Sequence, residues 1–84
     1  MQFSEEKVIT IILENIFELT YKKVSLIDEE LVDRGILTSI TMVELAVALE
    51  KALSISISFM EIKKENFKSV NAIKDLIQKI TNDK

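Results

Sequence analysis

Two side chains that often carry catalysis or bind metals, His and Cys, are absent from this chain of 84 residues. Without His, neither a Ser-His-Asp triad nor a histidine-bearing zinc site can form. Without Cys, disulfides and thiolate ligands are excluded. Carboxylates remain, but so small a protein offers little desolvated space in which to shift their pKa values. We therefore expect a protein that is not an enzyme.

The hydroxyl of Ser39 is the group best placed to be modified by another enzyme. Ser39 opens the strongest helical pattern of the chain, SITMVELAVALEKAL. Free backbone N–H groups and the positive end of the helix dipole stabilise a phosphodiester at such a position. A Ser before a helix is more often only an N-cap, so this position alone does not establish a modification site.

The helix that Ser39 opens is predicted over Ser39–Leu53, and at about 100° per residue it has two apolar sides. One broad arc faces the core and consists of Met42, Leu45, Ala46, Leu49, Ala52 and Leu53. A second apolar stripe, formed by Ile40, Val43 and Val47, lies on a different side. We expect the minor helix or the long loop to pack over Ile40, but the stripe as a whole to be exposed.

Charged residues share the side of the helix that carries the second stripe. They are Glu44, Glu50 and Lys51. An exposed apolar patch rimmed by carboxylates is typical of a surface that docks basic protein partners. The pattern therefore favours a docking surface beside Ser39.

The first and last helices are ordinary amphipathic core helices. The first is predicted over residues 4–19, with Ser4 as N-cap and two glutamates in the first turn, where the helix dipole favours them. The last follows Ser69 as N-cap and carries a narrow apolar stripe over residues 70–80. Residues 82–84 are predicted to be a frayed tail.

The connections between these helices lack helical periodicity. Residues 20–38 form a long loop that four apolar side chains pin over the core: Leu31, Val32, Ile36 and Leu37. Gly35 supplies a backbone conformation that other residues resist, and the acidic run at 28–30 is interpreted as solvated surface. Residues 54–58 are predicted to be extended and to bury Ile55 and Ile57, before a short helical turn at 59–62. The fold class is therefore all-α, a small bundle of three main helices and one short helix.

The run from Gly35 through Ser39 to Leu45, GILTSITMVEL, resembles the acyl carrier protein family. That family has a Gly, an Asp-Ser-Leu triplet and then a helix of the type Val-Glu-Leu…Ala-Leu-Glu. The helix order and the long first loop extend the resemblance over nearly the whole chain. Three features depart from the pattern: Thr38 replaces the Asp, Lys51 interrupts the carboxylates, and the turn after the helix has no Pro.

The resemblance implies that Ser39 is esterified by 4′-phosphopantetheine, whose terminal thiol holds cargo as a thioester. It also implies that five residues recognise partners: Ile40, Val43, Glu44, Val47 and Glu50. The expected function is an acyl carrier of fatty acid or related biosynthesis. A D-alanyl, aminoacyl or peptidyl carrier is one alternative, and an unmodified docking module of the same fold is another. A fatty acyl chain would need a core that opens, and its largest fillers are predicted to be Phe3, Phe17, Phe59 and Phe67.

The expected partners follow from this resemblance and from composition. They are a phosphopantetheinyl transferase and the enzymes that load and transfer acyl or aminoacyl groups. The net charge of −3 argues against nucleic acid as a partner. No apolar run reaches the length of about 20 residues that a membrane span needs. We expect one domain over residues 1–84, acting as a cytoplasmic monomer.

Overall fold

A computed structural model describes residues 3–82 of the chain, and within that range all regular structure is helical. The helices are α1 (Glu5–Thr20), α2 (Ser39–Leu53), α3 (Lys64–Phe67) and α4 (Val70–Asn82), with a 3₁₀ turn at Phe59–Glu61. The predicted fold class is confirmed: three long helices, a short one, and a long first loop. The short helical turn expected at 59–62 is a 3₁₀ turn, and α3 is a further single turn that the sequence pattern did not reveal.

The ends of the long helices follow local rules. The Ser4 hydroxyl accepts a hydrogen bond from the backbone N–H three residues on, as predicted for an N-cap, and Ser69 does the same before α4. Tyr21 ends α1 and Ser54 ends α2 in the left-handed conformation. α4 extends to Asn82, into the predicted tail. Residues 83–84, and residues 1–2 of the predicted domain, lie outside the described residues.

Helix α1 packs against both α2 and α4, and one hydrophobic core runs through all three. The fully buried large side chains of these helices are Val8, Ile12, Ile16, Leu45, Leu49, Val70, Ile73 and Ile77. The predicted core face of α2 is largely confirmed, but Ala52 is exposed because it lies at one margin of the arc. No helix in residues 3–82 combines the length and apolar character that crossing a membrane requires.

The four phenylalanines do not all fill the core. Phe67 is fully buried and Phe3 packs against the core at its edge. Phe17 is half-exposed and meets the ring of Tyr21 edge-on, with ring centroids 6.3 Å apart, while Phe59 is mostly exposed. The expectation of four aromatic core fillers is therefore wrong for Phe17 and Phe59, because within residues 3–82 neighbouring side chains cover only part of each.

The long loop is part of the core. Leu31 is fully buried, and its backbone N–H donates to the carbonyl of Lys68, at 2.7 Å from N to O. The N–H groups of Ile36 and Leu37 both donate to the Leu31 carbonyl, which folds the loop inward. Gly35 makes this turn with φ of +77°, a conformation that L side chains rarely adopt. The prediction that apolar residues pin the loop is confirmed.

Polar contacts tie the same loop to the segment around α3 and α4. The Asp33 carboxylate lies 2.7 Å from the Lys64 ammonium, and their hydrogen bond lowers the pKa of Asp33 and raises that of Lys64. Asn71 donates its backbone N–H to the Ile27 carbonyl and its side-chain amide to Asp28. The acidic run is thus more than solvated surface, since one of its carboxylates holds the loop against α4.

Lys74 joins the start of α1 to α4. Its side chain is buried, yet its ammonium reaches the carboxylates of Asp75 and Glu5 at 2.8 Å and 2.9 Å. Hydrogen bonds to these two carboxylates raise the pKa of Lys74, so the residue stays charged at neutral pH. Its aliphatic stem packs at the core margin while its charge is satisfied at the surface.

The burial of the loop predicts that Leu31→Ala destabilises the protein as much as a substitution in a core helix. We expect the free energy of unfolding to fall by about 2–5 kcal/mol, measured by urea denaturation followed by circular dichroism. Leu26→Ala is the matched control, because Leu26 lies in the same loop but is 69% exposed. It should change the free energy of unfolding by no more than about 0.5 kcal/mol. Equal effects of the two substitutions would contradict a loop integrated into the core.

Candidate functional site

Ser39 is the first residue of α2, and its hydroxyl is exposed. The N-cap of this helix is Thr38 instead. The Thr38 hydroxyl accepts a hydrogen bond from the N–H of Thr41, and the Thr41 hydroxyl accepts one from the N–H of Thr38, at 3.2 Å and 2.6 Å. Within residues 3–82 no hydrogen bond engages the Ser39 side chain. The capping role is therefore filled by a neighbour, and the Ser39 hydroxyl is free.

The surroundings of the Ser39 hydroxyl fit a phosphodiester. The N–H groups of Ser39 and Ile40 occupy the first two helical positions, where no helical acceptor exists, and within residues 3–82 nothing else accepts from them. The first turn of α2 contains no acidic residue that would repel a phosphate. With the positive end of the helix dipole added, the site stabilises negative charge attached to Ser39.

The second apolar stripe of α2 is exposed. The accessible fractions are 72% for Ile40, 39% for Val43 and 43% for Val47. The expectation that the minor helix or the loop covers Ile40 is wrong. The loop turns inward at Leu37, just before α2, and the 3₁₀ turn leaves its own apolar side chains in solvent. Within residues 3–82, one continuous side of α2, beginning beside Ser39, is left exposed, largely at Ile40 and partly at Val43 and Val47.

The two glutamates predicted to rim the stripe differ in their surroundings. Glu44 is exposed and makes no ion pair or hydrogen bond within residues 3–82. Glu50 is half-buried, and its carboxylate accepts a hydrogen bond of 2.6 Å from the backbone N–H of Ile57. The sequence already indicates this difference. At about 100° per residue around the helix axis, Glu50 lies only about 40° from Ala46, at the border of the core face. Glu44 is thus free for a partner, whereas Glu50 already has an internal role.

The connection after α2 is followed by two exposed apolar residues. The sequence did not predict that they are exposed. Phe59 and Met60, in the 3₁₀ turn, are 76% and 82% exposed. The connection that leads to them is held on α2 through Glu50 and Ile57. Periodicity does not find such residues, because a three-residue turn is too short to display a face.

The free serine, the uncovered stripe and the helix order together point to a carrier domain. A family model described as a phosphopantetheine attachment site matches residues 8–77. The chain belongs to the phosphopantetheine attachment family. Proteins of this family carry 4′-phosphopantetheine covalently on a serine, and carrier domains of this kind are typically non-catalytic. No curated protein matches the chain.

The family match confirms the resemblance to acyl carrier proteins. The matched residues take in most of α1, the long loop, all of α2 and α3, and the first half of α4. Membership of this family also explains why the site consists of few residues. A carrier domain needs an accessible serine oxygen and a face for its partner enzymes, and α2 has an exposed serine and an exposed apolar stripe.

The capping box predicts that Thr38→Ala destabilises α2, because the N–H of Thr41 loses its acceptor. We expect a fall of about 1 kcal/mol in the free energy of unfolding, measured by urea denaturation. Thr38→Asp should keep stability within about 0.5 kcal/mol, since Asp is an equally good N-cap. Thr10→Ala, on the exposed side of α1, is the control for loss of a threonine hydroxyl and should have little effect. A Thr38→Ala variant as stable as Thr10→Ala would show that the box contributes nothing.

Proposed function

We propose that this carrier receives 4′-phosphopantetheine on Ser39 and holds acyl groups as thioesters for partner enzymes. The observation that carries the proposal is the exposed hydroxyl of Ser39, unbonded within the chain, at the first position of α2 in a phosphopantetheine attachment domain. The arm supplies a terminal thiol that forms the thioester. The chain supplies the oxygen that anchors the arm, and free N–H groups that stabilise the phosphodiester charge.

The chain does not activate Ser39 itself. With no His in the sequence, and with only Thr38 and Thr41 hydroxyls fixed at the helix start, no general base is provided for the Ser39 hydroxyl. Attachment is therefore the work of a phosphopantetheinyl transferase, and later steps are the work of enzymes that load and transfer acyl or aminoacyl groups. The carrier itself is not an enzyme.

The partners dock on the exposed stripe of α2. Ile40, Val43 and Val47 offer apolar contacts whose burial stabilises a complex, and Glu44 offers an unpaired carboxylate for a basic residue of the partner. Glu50 extends this surface with the carboxylate oxygen that Ile57 does not use. Because the stripe begins beside Ser39, a docked enzyme lies next to the root of the arm. One copy presents both features, so the carrier is proposed to act as a monomer, and its proposed location is the cytoplasm.

The cargo falls into one of two classes. Acyl intermediates of fatty acid or related biosynthesis are the first, and D-alanyl, aminoacyl or peptidyl groups are the second. They differ in what they require of the protein, because a long acyl chain gains stability only by entering the core, whereas a small polar group remains hydrated. Thr38, where the family pattern has Asp, also leaves room for an unmodified docking module.

The first test of the proposal is modification by a phosphopantetheinyl transferase of broad specificity with coenzyme A. Intact-mass spectrometry should show one arm added to the wild-type protein and none added to Ser39→Ala. Ser56→Ala is the matched control, because Ser56 is also an exposed serine but lies outside any helix start. It should be modified like the wild type. Wild-type protein that stays unmodified with several such transferases favours the docking module instead.

The second test concerns the stripe. Val47→Asp should lower kcat/KM for transferase modification by about tenfold, because it places a charge where an apolar contact is buried. Val47 is 43% exposed and two turns from Ser39, so neither the fold nor the serine is disturbed. Leu26→Asp introduces the same charge at an exposed apolar residue away from α2 and should leave kcat/KM unchanged. Equal kcat/KM for the two variants would place the docking surface elsewhere.

A further inference from the structure

Glu50 holds the segment that follows α2 in place through hydrogen bonds. Its backbone carbonyl accepts the N–H groups of Ser54 and, at 3.2 Å, Ile55, and its carboxylate accepts the N–H of Ile57 at 2.6 Å. One residue thus binds three N–H groups of the five-residue connection 54–58. A hydrogen bond to a half-buried carboxylate is charge-assisted and stronger than a neutral one. The connection is therefore held along the border between the core face and the exposed stripe of α2.

We call the line of contact between α2 and the connection 54–58 the seam. The hydrogen bonds of Glu50 hold this seam closed. Ile57 is buried and Ile55 is half-buried against the core, as predicted for an extended connection that turns its apolar residues inward. Within residues 3–82, the Glu50 carboxylate is the only side-chain group of α2 that hydrogen-bonds to the connection. An acyl chain that entered the core between α2 and the connection at Glu50 would have to separate Glu50 from Ile57.

The interior behind the seam is filled. Leu45 and Leu49 of α2 and Phe67 of α3 are fully buried. Surface clefts in residues 3–82 are lined by residues of α1 with the start of the long loop, and by residues of α3 and α4. Cores packed in this way admit extra methylene groups only by displacing side chains from their preferred positions.

On the other side of the core, polar contacts also hold the long loop against the segment around α3. The Leu31 N–H donates to the Lys68 carbonyl at 2.7 Å, and the Asp33 carboxylate lies 2.7 Å from the Lys64 ammonium. These contacts hold the loop against the chain on both sides of Phe67. A long acyl chain that entered between the loop and α3 would have to break these contacts.

We propose that the cargo of this carrier stays in solvent, with Glu50 as the residue that keeps the seam closed, so that its substrates are short or polar acyl groups. This inference rests on the proposed function, because it concerns the group held at Ser39. The cargo class is thereby narrowed to small acyl and aminoacyl groups, for which a closed core carries no penalty.

The test uses a Ser39→Cys variant, because the chain has no other Cys and a thiol-reactive arm then attaches at one position. Two pantetheine-like arms are attached, one ending in an acetyl group and one in an octanoyl group. Melting temperatures of the two proteins should agree within about 1 °C, since neither group is buried. Burial of the six additional carbons would raise the melting temperature by about 10 °C or more. Such a rise, or octanoyl-dependent shifts of the Leu45, Leu49 and Ile57 methyl resonances, overturns the proposal.

Variants of Glu50 test its part in closing the seam. Glu50→Ala should speed amide hydrogen exchange at Ile57 by at least about tenfold, by removing its acceptor. Its octanoyl form should melt more than about 2 °C above its acetyl form. Glu50→Gln keeps an acceptor oxygen and should lie between Glu50→Ala and the wild type. Glu44→Ala is the matched control, because it removes an exposed glutamate of the same helix, and should behave as the wild type.

A Glu50→Ala protein with rapid exchange at Ile57 but no response to chain length overturns the role of Glu50. Unchanged exchange at Ile57 overturns it as well. The comparison of acetyl and octanoyl arms is decisive without any Glu50 variant, so it stands even if Glu50→Ala fails to fold. Failure of the proposed function is seen separately, as absence of an arm on wild-type Ser39 after exposure to transferases. The chemically attached arms do not depend on that reaction.

Discussion

Helix α2 is apolar on two sides, and the bundle covers only one of them. Leu45 and Leu49 are fully buried in the core shared with α1 and α4, whereas Ile40, Val43 and Val47 face solvent. Within residues 3–82, no other helix buries the second side. Because exposed apolar surface is unfavourable in water, a stripe of this kind stabilises complexes with other proteins. The proposed use of α2 as a docking helix as well as a core helix follows from that constraint.

The start of α2 shows how a reactive position is left free. Both Thr38 and Ser39 have side chains that cap helices well, but only one residue can occupy the N-cap. Thr38 does so, together with Thr41, and Ser39 becomes the first helical residue with an unengaged hydroxyl. The replacement of the family's Asp by Thr therefore keeps the cap and removes a negative charge next to Ser39, the proposed attachment residue. The helix start retains its full attraction for a phosphodiester.

Glu50 illustrates a conflict between structure and recognition on the same helix. Its position at the border of the core face allows its carboxylate to bind Ile57, and it extends the rim of the stripe at the same time. Glu44, on the far side of the stripe, has no such internal partner. The two residues are of the same type and lie on the same helix, but only Glu50 helps to hold the connection after α2 on the core.

The sequence by itself determined the three long helices, the cap at Ser4, the pinned loop and the position of Ser39 at a helix start. These features depend on periodicity and capping, which are local along the chain. The choice of Thr38 rather than Ser39 as the cap of α2 is also local, but the sequence pattern left it open. Only the tertiary structure decided that Ile40 is uncovered and that Glu50 binds Ile57. Periodicity gives the direction in which a side chain points but not what lies there. What lies there depends on how the long loop and the connection after α2 fold back, which no local pattern encodes.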